Sequence, residues 1–174
     1  MTSIHTRPAE ATALPVPGHG EGDLVIGQAG TSAMATLVER SSRHTVPVAL
    51  PAERRATTTG DALITTVTGL PTALITTRTR DHGSEMTAHA AFSLATTVAV
   101  YFAHPHSPWE RGTNDNTNRP LREYFPTGTE ITDDHTHLDH VATELNARSR
   151  RILGYRTPAE VFADIIARSI ASTG

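Results

Sequence analysis

Apolar positions in this chain fall into short β-branched runs early and into helical spacings late. Asp23 to Gly27 (Asp-Leu-Val-Ile-Gly), Ala33 to Glu39 and Thr45 to Leu50 read as three successive strands, with turns at Gly27 to Thr31 and Ser41 to Arg43. Arg54 to Leu70 is expected to be a helix, although Thr57-Thr58-Thr59-Gly60 is a poor helix-forming run. The pentapeptide Ala-Leu-Ile-Thr-Thr at Ala62 recurs at Ala73, but one repeat is too little for a solenoid. Its second copy, bounded by Pro71 and leading to Asp81, reads as a fourth strand. Ser84 to Thr96 has helical spacing, and Val98 to Phe102 is a fifth strand of β-branched and aromatic residues. Thr136 to Arg148 and Pro158 to Ile170 are two amphipathic helices, the second with Thr157 as N-cap. The sum is an α/β chain: a mixed five-stranded sheet flanked by helices, with C-terminal helices beyond it. Residues 1–20 are broken by Pro8, Pro15, Pro17, Gly18 and Gly20 and are expected to be an irregular leader, leaving 21–174 as the core.

Composition narrows the function classes. A chain of 174 residues with 37% hydrophobic and 19% charged residues suits one soluble domain with a real core. The absence of Cys excludes disulfides and thiolate metal sites. No apolar run approaches a membrane span and no signal-peptide core is present, so a cytoplasmic protein with no membrane partner is expected. The net charge of −3 lacks the overall basic footprint of a nucleic-acid binder. All 15 basic residues are Arg.

The most informative stretch is His104 to Phe125, HPHSPWERGTNDNTNRPLREYF. A Pro-punctuated loop leads through Trp109, the only Trp, and Arg111-Gly112 to the cap-forming run Thr113-Asn114-Asp115-Asn116. Leu121, Tyr124 and Phe125 then supply an apolar stripe. By itself this is an ordinary capped helix. Its wording, however, resembles the signature of bacterial insertion-sequence transposases of the family numbered thirty. These belong to the DDE class and share the integrase-type, ribonuclease-H-like catalytic core. The family reads Ser-Pro-Trp, two residues, Gly, two residues, then a catalytic Glu within Asn-Glu-Asn-Thr-Asn; here the frame is kept with Asp115 at that position. GEGDLVIG around Asp23 and DHGSEM around Asp81 are similar to the family's first and second motifs. The 33 residues between Asp81 and Asp115 match the family's interval.

The resemblance covers about Arg7 to Phe162. It implies a ribonuclease-H-like core, whose strand and helix order is the one read above. It also implies Asp23, Asp81 and Asp115 as catalytic metal ligands, two Mg²⁺ (or Mn²⁺) ions, and DNA cleavage and strand transfer. Three carboxylates suit a hard ion that borrows further oxygens from phosphate. DNA, as transposon ends and target, is the implied partner, with Arg111, Asn114, Asn116, Arg122, Arg148, Arg150 and Arg151 as candidate contacts, and a homo-oligomer is possible. The family's helix-turn-helix regions lie upstream of the matched part, so a truncated copy is expected. Asp in place of Glu at position 115, and Arg119-Pro120 after it, point to an impaired one.

Two other readings compete. One is an inactive relic of the same fold that retains some association with DNA. The other is a small metal-binding protein using Asp133, Asp134, His135, His137, Asp139 and His140, although acids at a helix N-terminus are ordinary dipole partners. Glu85, Glu110, His104 and His106 are read as supporting or solvated groups.

Overall fold

The computed structural model describes residues 16–50, 56–69, 75–80, 99–102 and 119–172; within these, 56–60, 75–80 and 99–102 are described by their backbone alone. Strands β1 (Gly18–Ile26), β2 (Ala33–Glu39) and β3 (Thr45–Ala49) form an antiparallel meander. Helix α1 (Ala56–Thr68) leads to β4 (Ile75–Arg80), and β5 (Ala99–Phe102) follows. The sheet order is β3-β2-β1-β4-β5, with β1–β4 and β4–β5 parallel. Helix α2, described over 119–124, α3 (His135–Asn146) and α4 (Pro158–Ser172) complete the chain.

Period-two alternation divides β2 between two cores. Ala33, Ala35 and Leu37 join Val48 and Leu50 beneath Leu63 and Val67 of α1. Met34 instead joins Val25 and Ala49 beneath Leu121 of α2, Phe125 just after it, and Leu138, Val141 and Leu145 of α3. Every residue of β2 is therefore buried, as a sheet covered on both faces requires. The spacing of Leu138, Val141 and Leu145 gives α3 its single inward stripe.

Several boundaries differ from expectation. The irregular leader does not extend to residue 20, because β1 begins at Gly18. It runs between β2 and β4, and ladder bonds on both sides outweigh the weak strand propensity of Gly18 and Gly20. Gly18, at φ +95°, sits where the β1–β4 register shifts. Helix α1 tolerates its threonines because Thr65, Thr66 and Thr68 turn their hydroxyls back to the carbonyls of Asp61, Ala62 and Ile64 at 2.9, 3.0 and 2.9 Å. Helix α3 stops at Asn146 rather than Arg148. The Asn146 side chain accepts from Thr45 N and donates to Thr45 O, both at 2.9 Å, tying the helix end to the start of β3. At α4, Thr157 is the N-cap as expected and forms a reciprocal pair with Glu160: Glu160 N donates to Thr157 Oγ1 at 3.2 Å and Thr157 N to Glu160 Oε2 at 2.9 Å. The expected helix at Ser84 to Thr96 lies outside the described residues.

At the far end of β1, Gly27 fills a gap no other residue fits. A Cβ there would meet Ser32 Oγ at 2.3 Å and Thr129 O at 2.9 Å. That close approach lets Gln28 N donate to Thr129 O at 2.8 Å and Ile131 N to Ser32 Oγ at 2.9 Å, fastening the segment after α2 to the end of β1.

Candidate functional site

Asp23 stands in the middle of β1, half-buried, between Glu21 and Val25 on one side of the strand. Val25 belongs to the core under α2 and α3, so Asp23 lies on the sheet face those helices cover. Its register partner on β2 is Thr36, whose hydroxyl is buried without a hydrogen-bond partner among the described residues. Asp23 Oδ1 accepts from Leu24 N at 2.9 Å. On the other side of β1, the parallel ladder with β4 runs to Glu21↔Thr79, and β4 ends at Arg80.

Asp81 and Asp115 lie outside the described residues, as do Arg111, Asn114, Asn116, Glu85, Glu110, His104 and His106. The helix that follows Asp115 in sequence is described from 119 and packs Leu121 and Phe125 against Val25. It is held there by two arginines expected to contact nucleic acid. Arg122 donates to Ile26 O at 3.3 Å and to Phe125 O at 3.4 Å. Arg148 pairs with Glu123 at 2.7 Å, donates to Tyr124 Oη at 2.9 Å and lies over the Tyr124 ring. Both have internal roles. Arg150 is half-buried with its Nε lacking a hydrogen-bond partner among the described residues, and Arg151 is exposed.

Reading the sequence missed a buried ion pair beside Asp23. Glu21 is fully buried, and its Oε1 lies 2.8 Å from Arg40 Nε. The Arg40 Nε–H is not aligned for a hydrogen bond to that oxygen. The available signal was alternation: Glu21 is two residues before Asp23 and must share its side of the strand.

The polar run from Asp133 to His140 has no metal-site geometry. Asp134 is the N-cap of α3, accepting from Thr136 N at 2.9 Å. His137 meets the Phe125 ring edge-on, and His140 pairs with Glu144 at 3.6 Å. Among the described residues no three His, Asp or Glu side chains gather as a metal site. The reading as a metal-binding protein built on this run has no support in the fold.

His44 sits on the β2–β3 turn with its ring stacked on Phe162 of α4, centroids 4.0 Å apart. Burial lowers its pKa from 6.5 to about 4, with Glu39 opposing the shift. A base held neutral in the fold stabilises it fully above pH 6.5. That stability is lost as pH falls through about 4, because the unfolded chain binds the proton first. The urea midpoint is therefore expected to drop across this window, and by less in a His44→Phe chain, where the stack remains without a titrating ring. Equal drops in both chains would remove His44 from the account.

Among the described residues no helix is long and apolar enough to cross a membrane. No protein-family model matches the chain. It is 43% identical over 168 residues, 96% of this chain and 49% of the relative, to the transposase for insertion sequence element IS1086 of Cupriavidus metallidurans. It is 42% identical over 173 residues, 99% of this chain and 44% of the relative, to transposase InsI for insertion sequence element IS30A of Escherichia coli. A probable transposase for insertion-like sequence element IS1161 of Streptococcus salivarius is 34% identical over 163 residues, 92% of this chain and 46% of that protein. The chain spans about half the length of the curated relatives it matches.

Proposed function

Because this chain belongs with the insertion-sequence transposases of the IS30 type, we propose that it carries a ribonuclease-H-like core for metal-dependent DNA cleavage and strand transfer. The strongest support is the β1–β4 ladder. The two strands are adjacent and parallel, paired as far as Glu21↔Thr79, two residues before Asp23 on β1. A carboxylate on the first of two adjacent parallel strands is what the sequence frame calls for at Asp23. The antiparallel meander followed by two parallel strands agrees with such a core.

In this reading Asp23, Asp81 and Asp115 hold Mg²⁺ or Mn²⁺. The donor set is entirely carboxylate oxygen, as a hard cation prefers. Asp23 fits the role: it is only half-buried, on the face shared with α2, and its Oδ1 is oriented by Leu24 N. When bound, such ions lower the pKa of an attacking hydroxyl and stabilise the leaving oxygen of an in-line phosphoryl transfer. The chain's part is to fix the carboxylates and the phosphodiester; Arg122 serves this by tying the end of β1 to the helix after Asp115, and Gly27 by letting the segment beyond that helix close onto β1.

The test is strand cleavage of supercoiled plasmid and of short duplexes by the purified chain. Nicking is expected with Mg²⁺ or Mn²⁺ and none with chelator or Ca²⁺. DNA binding in Ca²⁺ is expected to be weak, sequence-tolerant and steeply salt-dependent, because counterion release drives it. Binding without nicking in any metal would instead favour the inactive relic. Nicking that survives chelation would overturn the metal assignment.

A further inference from the structure

The described arginines divide sharply by partner. Arg40 pairs with Glu21, Arg148 with Glu123 and Arg156 with Asp164, and Arg122 is taken up by backbone carbonyls. Arg119, Arg151 and Arg168 are exposed, where water suffices. Arg43 and Arg150 fit neither group. Both are half-buried, and among the described residues neither has a carboxylate within ion-pair distance. Glu21 and Glu39 attract Arg43 and Glu123 attracts Arg150, but from beyond ion-pair distance, and burial outweighs them at both guanidinia.

Their proximity is built into the fold. Arg43 lies on the β2–β3 turn at φ +62°, a left-handed conformation better suited to Gly or Asn. The two residues after it are pinned to the far end of the chain: His44 by its stack on Phe162, Thr45 by the Asn146 amide. Arg150 follows Asn146 by four residues. Its backbone is locked in a tight loop, its N donating to Arg156 O and its O accepting from Tyr155 N, both at 2.9 Å. The Arg150 charge acts on Arg43, and burial lowers the pKa of both. Arg151, next in the chain, adds an exposed third cation.

We infer that Arg43 and Arg150, with Arg151 at the rim, form a notch that binds a backbone phosphate of DNA. Arg provides planar, paired donors suited to phosphate oxygens. An incoming phosphate supplies the direct ion-pair partner that neither guanidinium has among the described residues. The notch borders the Glu21–Arg40 pair on the strand that carries Asp23, so it suits DNA flanking a scissile bond at Asp23. The inference rests on the proposed DNA-processing function and adds an anchor contributed by the β2–β3 turn.

The experiment measures binding of the full chain to a fluorescent duplex of about 30 base pairs, with NaCl varied from about 50 to 200 mM. Arg43→Gln/Arg150→Gln is expected to weaken binding about tenfold or more at the low end. It should also reduce the slope of log affinity against log salt by about 1, at roughly 0.9 per phosphate neutralised. Arg43→Lys/Arg150→Lys should keep most of the slope, and Arg168→Gln should leave it unchanged. The Gln pair should melt close to the parent, since neither guanidinium makes an ion pair among the described residues. If that chain fails to fold, phenylglyoxal labelling of the parent, read by mass spectrometry, replaces it: DNA should slow labelling at Arg43 and Arg150 but not at Arg168. An unchanged slope in a folded Gln chain, or no protection by DNA, overturns the notch while leaving the functional reading intact. Parent chain that binds no duplex overturns both. Stabilisation by inorganic phosphate that the Gln pair loses, with an unchanged DNA slope, assigns the notch to free phosphate and overturns the DNA assignment.

Discussion

Replacing Glu21 by Leu is expected to destabilise the fold by about 3–5 kcal/mol, the usual cost of removing one member of a buried ion pair. Glu21 is fully buried and Arg40 nearly so, with 2.8 Å between Oε1 and Nε. Without the carboxylate, Arg40 keeps its charge in a site that water barely reaches, and Arg43 loses an attraction as well. The pair itself is a smaller asset than either single substitution suggests, because both groups were desolvated to make it. Glu21→Leu/Arg40→Met should therefore recover most of the loss, and the difference between single and double variants measures the coupling. Urea unfolding of the three chains decides the matter. A single Glu21→Leu chain as stable as its parent would mean that Arg40 escapes to solvent. The pair would then not be a fixed part of the sheet. Activity should follow stability in these variants, since neither residue is proposed to touch a metal or a phosphate.

The central strands were legible because their apolar content and their pairing agree. Ala33 to Glu39 was read with its observed bounds, and Thr45 to Leu50 differs from β3 by one residue. The first and fourth strands were blurred for one physical reason. Gly18-His19-Gly20 and the Thr-Arg alternation of Ile75–Arg80 have little β-character of their own, and backbone ladders to their neighbours hold them extended. The first expected strand therefore began five residues late, at Asp23. The fourth, expected at Ala73 to Thr77, is found at Ile75–Arg80. At the site, Asp23 was reached through the resemblance, whereas Glu21, two residues earlier on the same side of the strand, was missed. The roles of the arginines were not legible. Arg122, Arg148 and Arg150 look alike in sequence and are separated only by what lies across from them: a carbonyl, a carboxylate, or neither.

The three proposed carboxylates should respond differently to substitution. Asp23→Asn is expected to reduce metal-dependent cleavage by about three orders of magnitude or more, the scale seen when one member of a catalytic unit is removed. The amide keeps the size and the acceptor that Leu24 N uses but removes the charge a cation needs. Asp115→Glu should act in the opposite direction. Asp is shorter than the Glu of the family frame by one C–C bond, about 1.5 Å. Catalytic groups tolerate only about 0.5 Å of misplacement. Restoring the methylene should raise cleavage about tenfold or more in Mg²⁺ and less in Mn²⁺, on the expectation that Mn²⁺ accepts looser geometry. Pro120 complicates the comparison, because it lies in α2 beside the fully buried Leu121 and lacks the N–H that a helix interior would use. Pro120→Leu is therefore tested alone and with Asp115→Glu. Gain from Asp115→Glu alone assigns the defect to reach. Gain only in the double variant assigns it to the helix. A chain already active, in which Asp115→Ala changes nothing, would show that Asp115 is no ligand and that the third carboxylate must be sought elsewhere.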